Sequence, residues 1–247
     1  MLLTNGPTPY YQQVKEYLRT LIDSGKLGED EQIPSERELC LQFGISRTTI
    51  RQALNESEQE GLIYKVHGKG TFVAPRKIDQ ELLTMNSFED TVLSRGLKPK
   101  MTVLAVESLQ PTLEINAILK LDMVNLTKIS LLGHGDDEPI VYYESFIAEQ
   151  LGKAVAAEAI KRSNQGLSYS TYQLYRDCCG IIPRETHQTI EAAVADSMTA
   201  EILQIRKGTP IFLTTSIVYT DNNQPIEYKK VRYRGDKYKF NITRRHI

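Results

Sequence analysis

Two short amphipathic stretches meet at Gly44; the second opens on Ser46-Arg47-Thr48-Thr49-Ile50-Arg51-Gln52 and is followed by a β-rich run tipped with His67-Gly68-Lys69-Gly70. Few folds tolerate that order. Two short helices joined at a tight glycine turn mark a helix-turn-helix, and a glycine-tipped hairpin directly behind them makes the winged form. Upstream, Tyr10, Val14, Tyr17, Leu18, Leu21 and Ile22 recur at helical spacing up to Ser24, and Gly25 stops that helix. Ser35 and Glu38 stand at capping-box spacing ahead of Leu39 and Phe43, so a second helix is expected to run to Gly44. Ser46 then starts a third, whose Ile50, Ala53 and Leu54 turn inward and leave Arg47, Thr48, Arg51 and Gln52 largely outward. A helix with small polar and cationic residues on its first turn suits a DNA major groove, and a basic glycine tip suits the neighbouring backbone or minor groove.

Bulk charge does not support that reading. The 247-residue chain has a formal net charge of −1, and residues 1–75 hold 8 Lys/Arg against 10 Asp/Glu. Distribution does support it. Acids gather at Glu29-Asp30-Glu31 and from Glu56 to Glu60, while Arg37, Arg47, Arg51, Lys65 and Lys69 fall where a groove-facing surface would lie. On charge alone, a helical bundle with scattered surface arginines is the plainer alternative. No apolar run approaches the roughly 18 residues that span a bilayer, and the start, Met1 to Pro7, lacks the basic and apolar regions of a signal peptide. A soluble cytoplasmic protein with no membrane partner is expected. Cys40 and the adjacent Cys178 and Cys179 make an odd count that fits reduced thiols better than a disulfide framework.

The motifs Pro34-Ser35-Glu36-Arg37-Glu38-Leu39, Phe43 to Leu54, Glu60-Gly61-Leu62-Ile63 and Gly68-Lys69-Gly70-Thr71-Phe72-Val73 resemble, in order and spacing, the N-terminal domain of GntR-family bacterial transcription regulators. The resemblance implies that Arg37, Arg47 and Arg51 contact phosphates or guanine edges of double-stranded operator DNA, with Gln52 on the same face. Ser46, Thr48 and Thr49 would help to set register, and His67, Gly68 and Lys69 would touch the groove from the wing. Each has a bland alternative: Ser46 as a cap only, Thr48 and Thr49 facing solvent, His67 filling a turn.

Ala74 to Asp79 breaks the pattern, which divides the chain into a DNA-binding domain at 1–75, a linker at 76–82 and a second domain at 83–247. In the second domain, Ser87 to Gly96 reads as a helix with a glycine stop, Met101 to Glu107 as a strand, Pro111 to Leu121 as a helix and Leu126 to Leu132 as a strand. A partial repeat follows, Asp136-Asp137-Glu138-Pro139-Ile140-Val141-Tyr142 being echoed by Asn222-Asn223-Gln224-Pro225-Ile226-Glu227-Tyr228. Each is the polar turn of a hairpin in an antiparallel sheet. Helices near Lys153 to Arg162, Thr171 to Asp177 and Met198 to Ile205, with a strand from Arg184 to Val194, complete an α+β arrangement.

This second domain resembles the UTRA ligand-sensing module of the HutC subfamily. The resemblance is carried by Ser87-Phe88, Arg95-Gly96, Asp137 to Ile140, Glu144-Ser145, Ser170-Thr171-Tyr172, Gly208-Thr209-Pro210, Glu227-Tyr228 and Tyr233 to Phe240. It implies a chorismate-lyase-like sheet that binds a small-molecule effector, forms a homodimer and shifts the spacing of two DNA-reading heads. Glu144, Ser170, Glu227 and Tyr233 stand at the positions that line the pocket in members binding phosphorylated sugars. Glu144 as a solvent-side strand residue and Ser170 as a helix cap are the alternatives. One departure matters: where many relatives carry an Arg-x-Arg phosphate clamp, this chain has Leu131 and Gly133, with Lys128, Ser130 and His134 as the nearest substitutes.

Catalytic, metal and cofactor sites are not expected. Asp136-Asp137-Glu138 is explained by its turn, and Cys178-Cys179 lacks the C-x-x-C spacing of a redox pair or zinc half-site. No Walker loop, nucleophile elbow or H-E-x-x-H is present. The expected function is a metabolite-responsive regulator, more specifically a repressor on a pseudo-palindromic operator. A lyase-like enzyme with an auxiliary DNA-binding module is the alternative.

Overall fold

The computed structural model describes residues 8–75, 77–82 and 87–243. The chain divides into two compact units, Met1–Arg76 and Lys77–Ile247.

The first unit is built from helices α1 (Tyr10–Asp23), α2 (Glu36–Phe43) and α3 (Arg47–Gln59) and a hairpin of strands β1 (Ile63–Val66) and β2 (Gly70–Val73). Local chemistry sets each boundary. Ser35 and Glu38 form the reciprocal capping box, and Gly44 ends α2 in the left-handed conformation. The Ser46 hydroxyl accepts from the Thr49 amide at the start of α3. Val14 and Leu18 of α1, Leu39 of α2, and Ile50, Ala53 and Leu54 of α3 close one core, sealed by Ile63 and Val73 of the hairpin. The acids at the end of α3 and at its cap are spent internally: Lys15 bonds Glu56 and Glu60 at 3.3 and 2.9 Å, and Arg19 bonds Glu60 at 2.9 Å. Lys65, expected on the groove-facing surface, bonds Glu58 at 2.8 Å and Asn55 at 2.6 Å and so ties the hairpin to α3.

The second unit contains β3 (Ile78–Glu81), α4 (Phe88–Leu93), β4 (Pro99–Leu109), α5 (Leu113–Leu119), β5 (Leu126–Gly135), β6 (Glu138–Ala148), α6 (Glu149–Asn164), α7 (Thr171–Cys179), β7 (Glu185–Val194), α8 (Ser197–Ile202), β8 (Pro210–Tyr219), β9 (Pro225–Arg234) and β10 (Tyr238–Asn241). Six strands form an antiparallel sheet in the order β4-β5-β6-β9-β8-β7, and both Pro-Ile hairpin turns fall where the repeat placed them. The expected linker is corrected here. Residues 78–81 form β3, which pairs in parallel with β10, and Ile78 is buried in the main core. A short parallel strand whose partner lies near the other end of the sequence leaves no local signal.

Helices α6 and α7 cover one sheet face, contributing Val155, Ala156, Ala159, Leu174 and Tyr175 to the main core with Ile129, Val141 and Val231. Smaller clusters under α5 and α8 cover parts of the other face. The α6 contact is made close by Gly152, where an added Cβ would collide with the Thr127 side chain and stand 3.3 Å from Ile147 Cβ. Gly152→Val is expected to destabilise this unit by about 3 kcal/mol, because overpacking outweighs the smaller gain in helix propensity. Chemical denaturation checks it, and a variant as stable as the parent would show that α6 can lift away from β5.

Candidate functional site

The first unit presents its site at the amino ends of α2 and α3 and at the tip of the wing. Arg37, Arg47, Thr48, Arg51 and Gln52 are exposed, as are His67, Gly68 and Lys69 between β1 and β2, whereas Thr49 is half-buried and shares its hydroxyl with Ser46 at 2.9 Å. Gln52 reaches back to Glu56 at 3.2 Å. Glu36 organises the two α3 arginines: Arg47 Nε donates to it at 2.8 Å, and Arg51 Nε donates at 3.0 and 3.1 Å. All three bonds use Nε, and the Nη ends of both forks make no hydrogen bond among the described residues. The Arg47 hydrogen bond, joined by Arg51, holds the Glu36 carboxyl below its ordinary range. The wing tip bends tightly, Gly68 lying at φ 72° and Gly70 at φ 133°. Gln32 donates to the Lys69 carbonyl at 3.1 Å and packs where a Gly70 side chain would be.

The second unit holds a cavity of about 510 Å³ between the sheet, the start of α7 and the β3/β10 ribbon. That volume suits a small metabolite. Strand alternation decides which residues reach it. On β9, Lys229, Val231 and Tyr233 face it, and on β6 Tyr143 does. Aromatic rings form much of the wall: Tyr233 lies 4.8 Å from Tyr238, 5.2 Å from Phe240 and 6.3 Å from Tyr143, centroid to centroid. Burial pushes the Tyr233 phenol up to about 12, so it remains a hydrogen-bond donor at neutral pH.

Two of the four expected effector residues, Ser170 and Tyr233, line the cavity. Ser170 is also the cap of α7, accepting from the Gln173 amide at 3.3 Å; its hydroxyl proton is not used by that cap. Glu227 is fully buried beside the cavity without lining it. Its Oε2 accepts from Thr171 Oγ1 at 3.0 Å and from Lys229 Nζ at 3.3 Å, and its Oε1 has no partner among the described residues. Glu144 is a correction. One residue beyond Tyr143, it points to the opposite face of the sheet, paired with Arg232 at 2.6 Å and Lys128 at 3.0 Å. The same alternation removes Lys128 and Ser130 as substitutes for an arginine clamp, whereas Leu131 does line the cavity. At Gly133 an added Cβ would lie 2.6 Å from Val141 and 2.8 Å from Phe88, so no arginine fits there.

Lys229, Tyr143 and Arg184 were not expected as effector residues from the sequence, and Tyr172 entered only within the Ser170-Thr171-Tyr172 motif, yet all line the cavity. Lys229 was within reach of the pattern, since it sits at period two between Glu227 and Tyr233 on one strand. Burial works to lower the pKa of its ammonium, but the Glu227 carboxylate overrides it and the net displacement is upward.

Comparison with known proteins agrees with both units. Residues 10–73 match the family described as bacterial regulatory proteins, gntR family, and residues 94–239 match the UTRA domain. The chain belongs to the gntR family of bacterial regulatory proteins and carries a UTRA domain behind its winged helix-turn-helix. It is 36% identical over 237 residues to the HTH-type transcriptional repressor NagR of Bacillus subtilis, covering 95% of this chain and 94% of that one. It is 28% identical to the histidine utilization repressor of Pseudomonas putida, covering 95% and 91% of the two chains. The crystal structure of PhnF from Mycobacterium smegmatis shares the fold, with a TM-score of 0.67 at 24% identity over 96% of this chain and 99% of that one. The chain is thus a DNA-binding transcription regulator, and neither matching family supports the enzyme alternative. Among the described residues no helix is long and apolar enough to cross a membrane.

Proposed function

We propose that this regulator is a homodimeric repressor whose two third helices read the halves of a pseudo-palindromic operator, and which a small metabolite in the UTRA cavity releases from DNA. The carrying observation is the Glu36-Arg47-Arg51 arrangement, with two guanidinium forks on one helix face and their Nη ends unengaged among the described residues. It is supported by a metabolite-sized cavity in the same chain. Dimerisation fits the edge of the sheet, where among the described residues β7 pairs only with β8 and Val194 is 65% exposed. A long, exposed, unpaired edge strand is a surface that proteins ordinarily cover. Release requires that the metabolite bind the DNA-free geometry more tightly than the DNA-bound one.

Selecting bound duplexes from a random pool with the full chain tests the reading. Two symmetry-related half-sites, their centres about 10 base pairs or a multiple of that apart, are expected. A single asymmetric site bound by a monomer would end the dimer proposal.

A further inference from the structure

Resting on the reading of the UTRA cavity as the effector site, we propose that the effector is a monocarboxylate on an aromatic or similarly apolar body, anchored by Lys229 and the amino end of α7. The anchor is buried. Lys229 is 8% exposed, lines the cavity, and donates to Thr171 Oγ1 at 2.9 Å and Glu227 Oε2 at 3.3 Å, with its Nζ 4.7 Å from the Tyr172 ring centre. An ammonium has three N–H donors, so one remains. Ser170, Thr171 and Tyr172 bring the first turn of the nine-residue α7 to the same wall; the Ser170–Gln173 capping box takes the Ser170 and Gln173 amides, and the positive helix end there favours an anion. Tyr169 and Tyr238, each 1% exposed, also line the cavity, and their hydroxyls have no partner among the described residues. Buried phenols without partners are open to a polar ligand group.

Charge selects among anions. Lys229 and Glu227 cancel, leaving about half a positive charge from the helix end. One negative charge suits that field. A phosphate monoester carries nearly two at neutral pH and would bring the excess beside the Glu227 carboxylate. The region where a guanidinium pair could clamp phosphate is filled by Leu131 and closed at Gly133 by Phe88 and Val141. The other charged residues of the lining are Arg184 and Glu185, adjacent and exposed at the start of β7, and Glu81 on β3; the two carboxylates add to the case against a doubly charged anion. In the rest of the lining, Phe88, Tyr143, Tyr233, Tyr238 and Phe240 supply a ring-rich part that suits a flat apolar body, beside the polar Gln80, Ser87, Thr186, Gln188 and Ser216.

Calorimetry on the full chain, without DNA, tests this with benzoate, phenylacetate and 3-phenylpropanoate against their carboxamides, phenyl phosphate and glucose 6-phosphate. At least one acid is expected to bind about tenfold or more tighter than its amide, the size of one charge-assisted hydrogen bond. It should also bind more tightly than phenyl phosphate. The double variant Lys229→Met/Glu227→Gln, which removes both charges and leaves no buried ion unpaired, should lose the preference for acid over amide while keeping operator binding. Equal binding of acid and amide, no binding by any acid, tighter phosphate binding, or a preference that survives in the double variant would each overturn the proposal. Operator release by glucose 6-phosphate but by no acid would overturn it and leave the repressor reading standing. Failure of the parent chain to bind any operator would remove the repressor reading without touching the calorimetric result.

Discussion

Alanine at Arg47 and at Arg51 is expected to weaken specific operator binding by about 1–3 kcal/mol each, the worth of a bidentate contact to a base. The geometry supports the upper part of that range. Glu36 takes only the Nε of each arginine, so both forks are steered while their Nη ends stay open among the described residues. Because Arg47 and Arg51 hold the Glu36 carboxyl below its usual range, the arrangement persists across neutral pH. It is lost only when acid takes the pH down through the lowered value, and any stability it contributes is present above the ordinary carboxylate range. Neither alanine should harm the fold, since both arginines are exposed and exposed ion pairs contribute about 0–1 kcal/mol. Anisotropy titration against the selected duplex and single-base variants separates the roles. A base-reading arginine, once removed, relaxes preference at one position, whereas a phosphate-binding one weakens all sequences alike and lowers the salt slope by about 1. Unchanged affinity in both variants would sink α3 as the reading helix.

The first unit was legible because its signals are local. The Ser35-Glu38 box, the Ser46 cap and Gly44 each act within four residues, and the structure places all three at element ends. What escaped was the assignment of partners. Lys65 belongs to Glu58, and the acids Glu56 and Glu60 belong to Lys15 and Arg19, pairings that become visible only when α1, α3 and the hairpin are packed. In the second unit most helices and strands could be placed, but neither the strand order nor the β3/β10 pair could, because those depend on contacts far apart in sequence. The cavity was half legible. Tyr143 rather than its neighbour Glu144 faces the cavity, since an offset of one residue in a two-residue period sends a side chain to the opposite face. Lys229 was obscured because a lysine in a strand ordinarily faces solvent; only the packing of α7 over β9 buries it.

That burial sets the largest expected stability effect. Lys229→Met alone leaves the Glu227 carboxylate in the core with Thr171 as its remaining partner, and removing one member of a buried pair costs about 3–5 kcal/mol. Glu227→Gln alone should cost less. The residue left charged is then Lys229, which borders a cavity that water can enter and keeps its contacts to Thr171 and the Tyr172 ring, whereas Glu227 is fully enclosed. With both changes no ion remains to be desolvated, so most of the loss should be recovered, because replacing a buried pair by neutral groups of similar volume is often neutral or stabilising. Denaturant unfolding followed by circular dichroism, together with hydrogen exchange on β9 and α7, provides the measure. Equal losses in the two single variants, or a double variant no better than Lys229→Met, would mean that Lys229 and Glu227 are held by their neighbours rather than by each other.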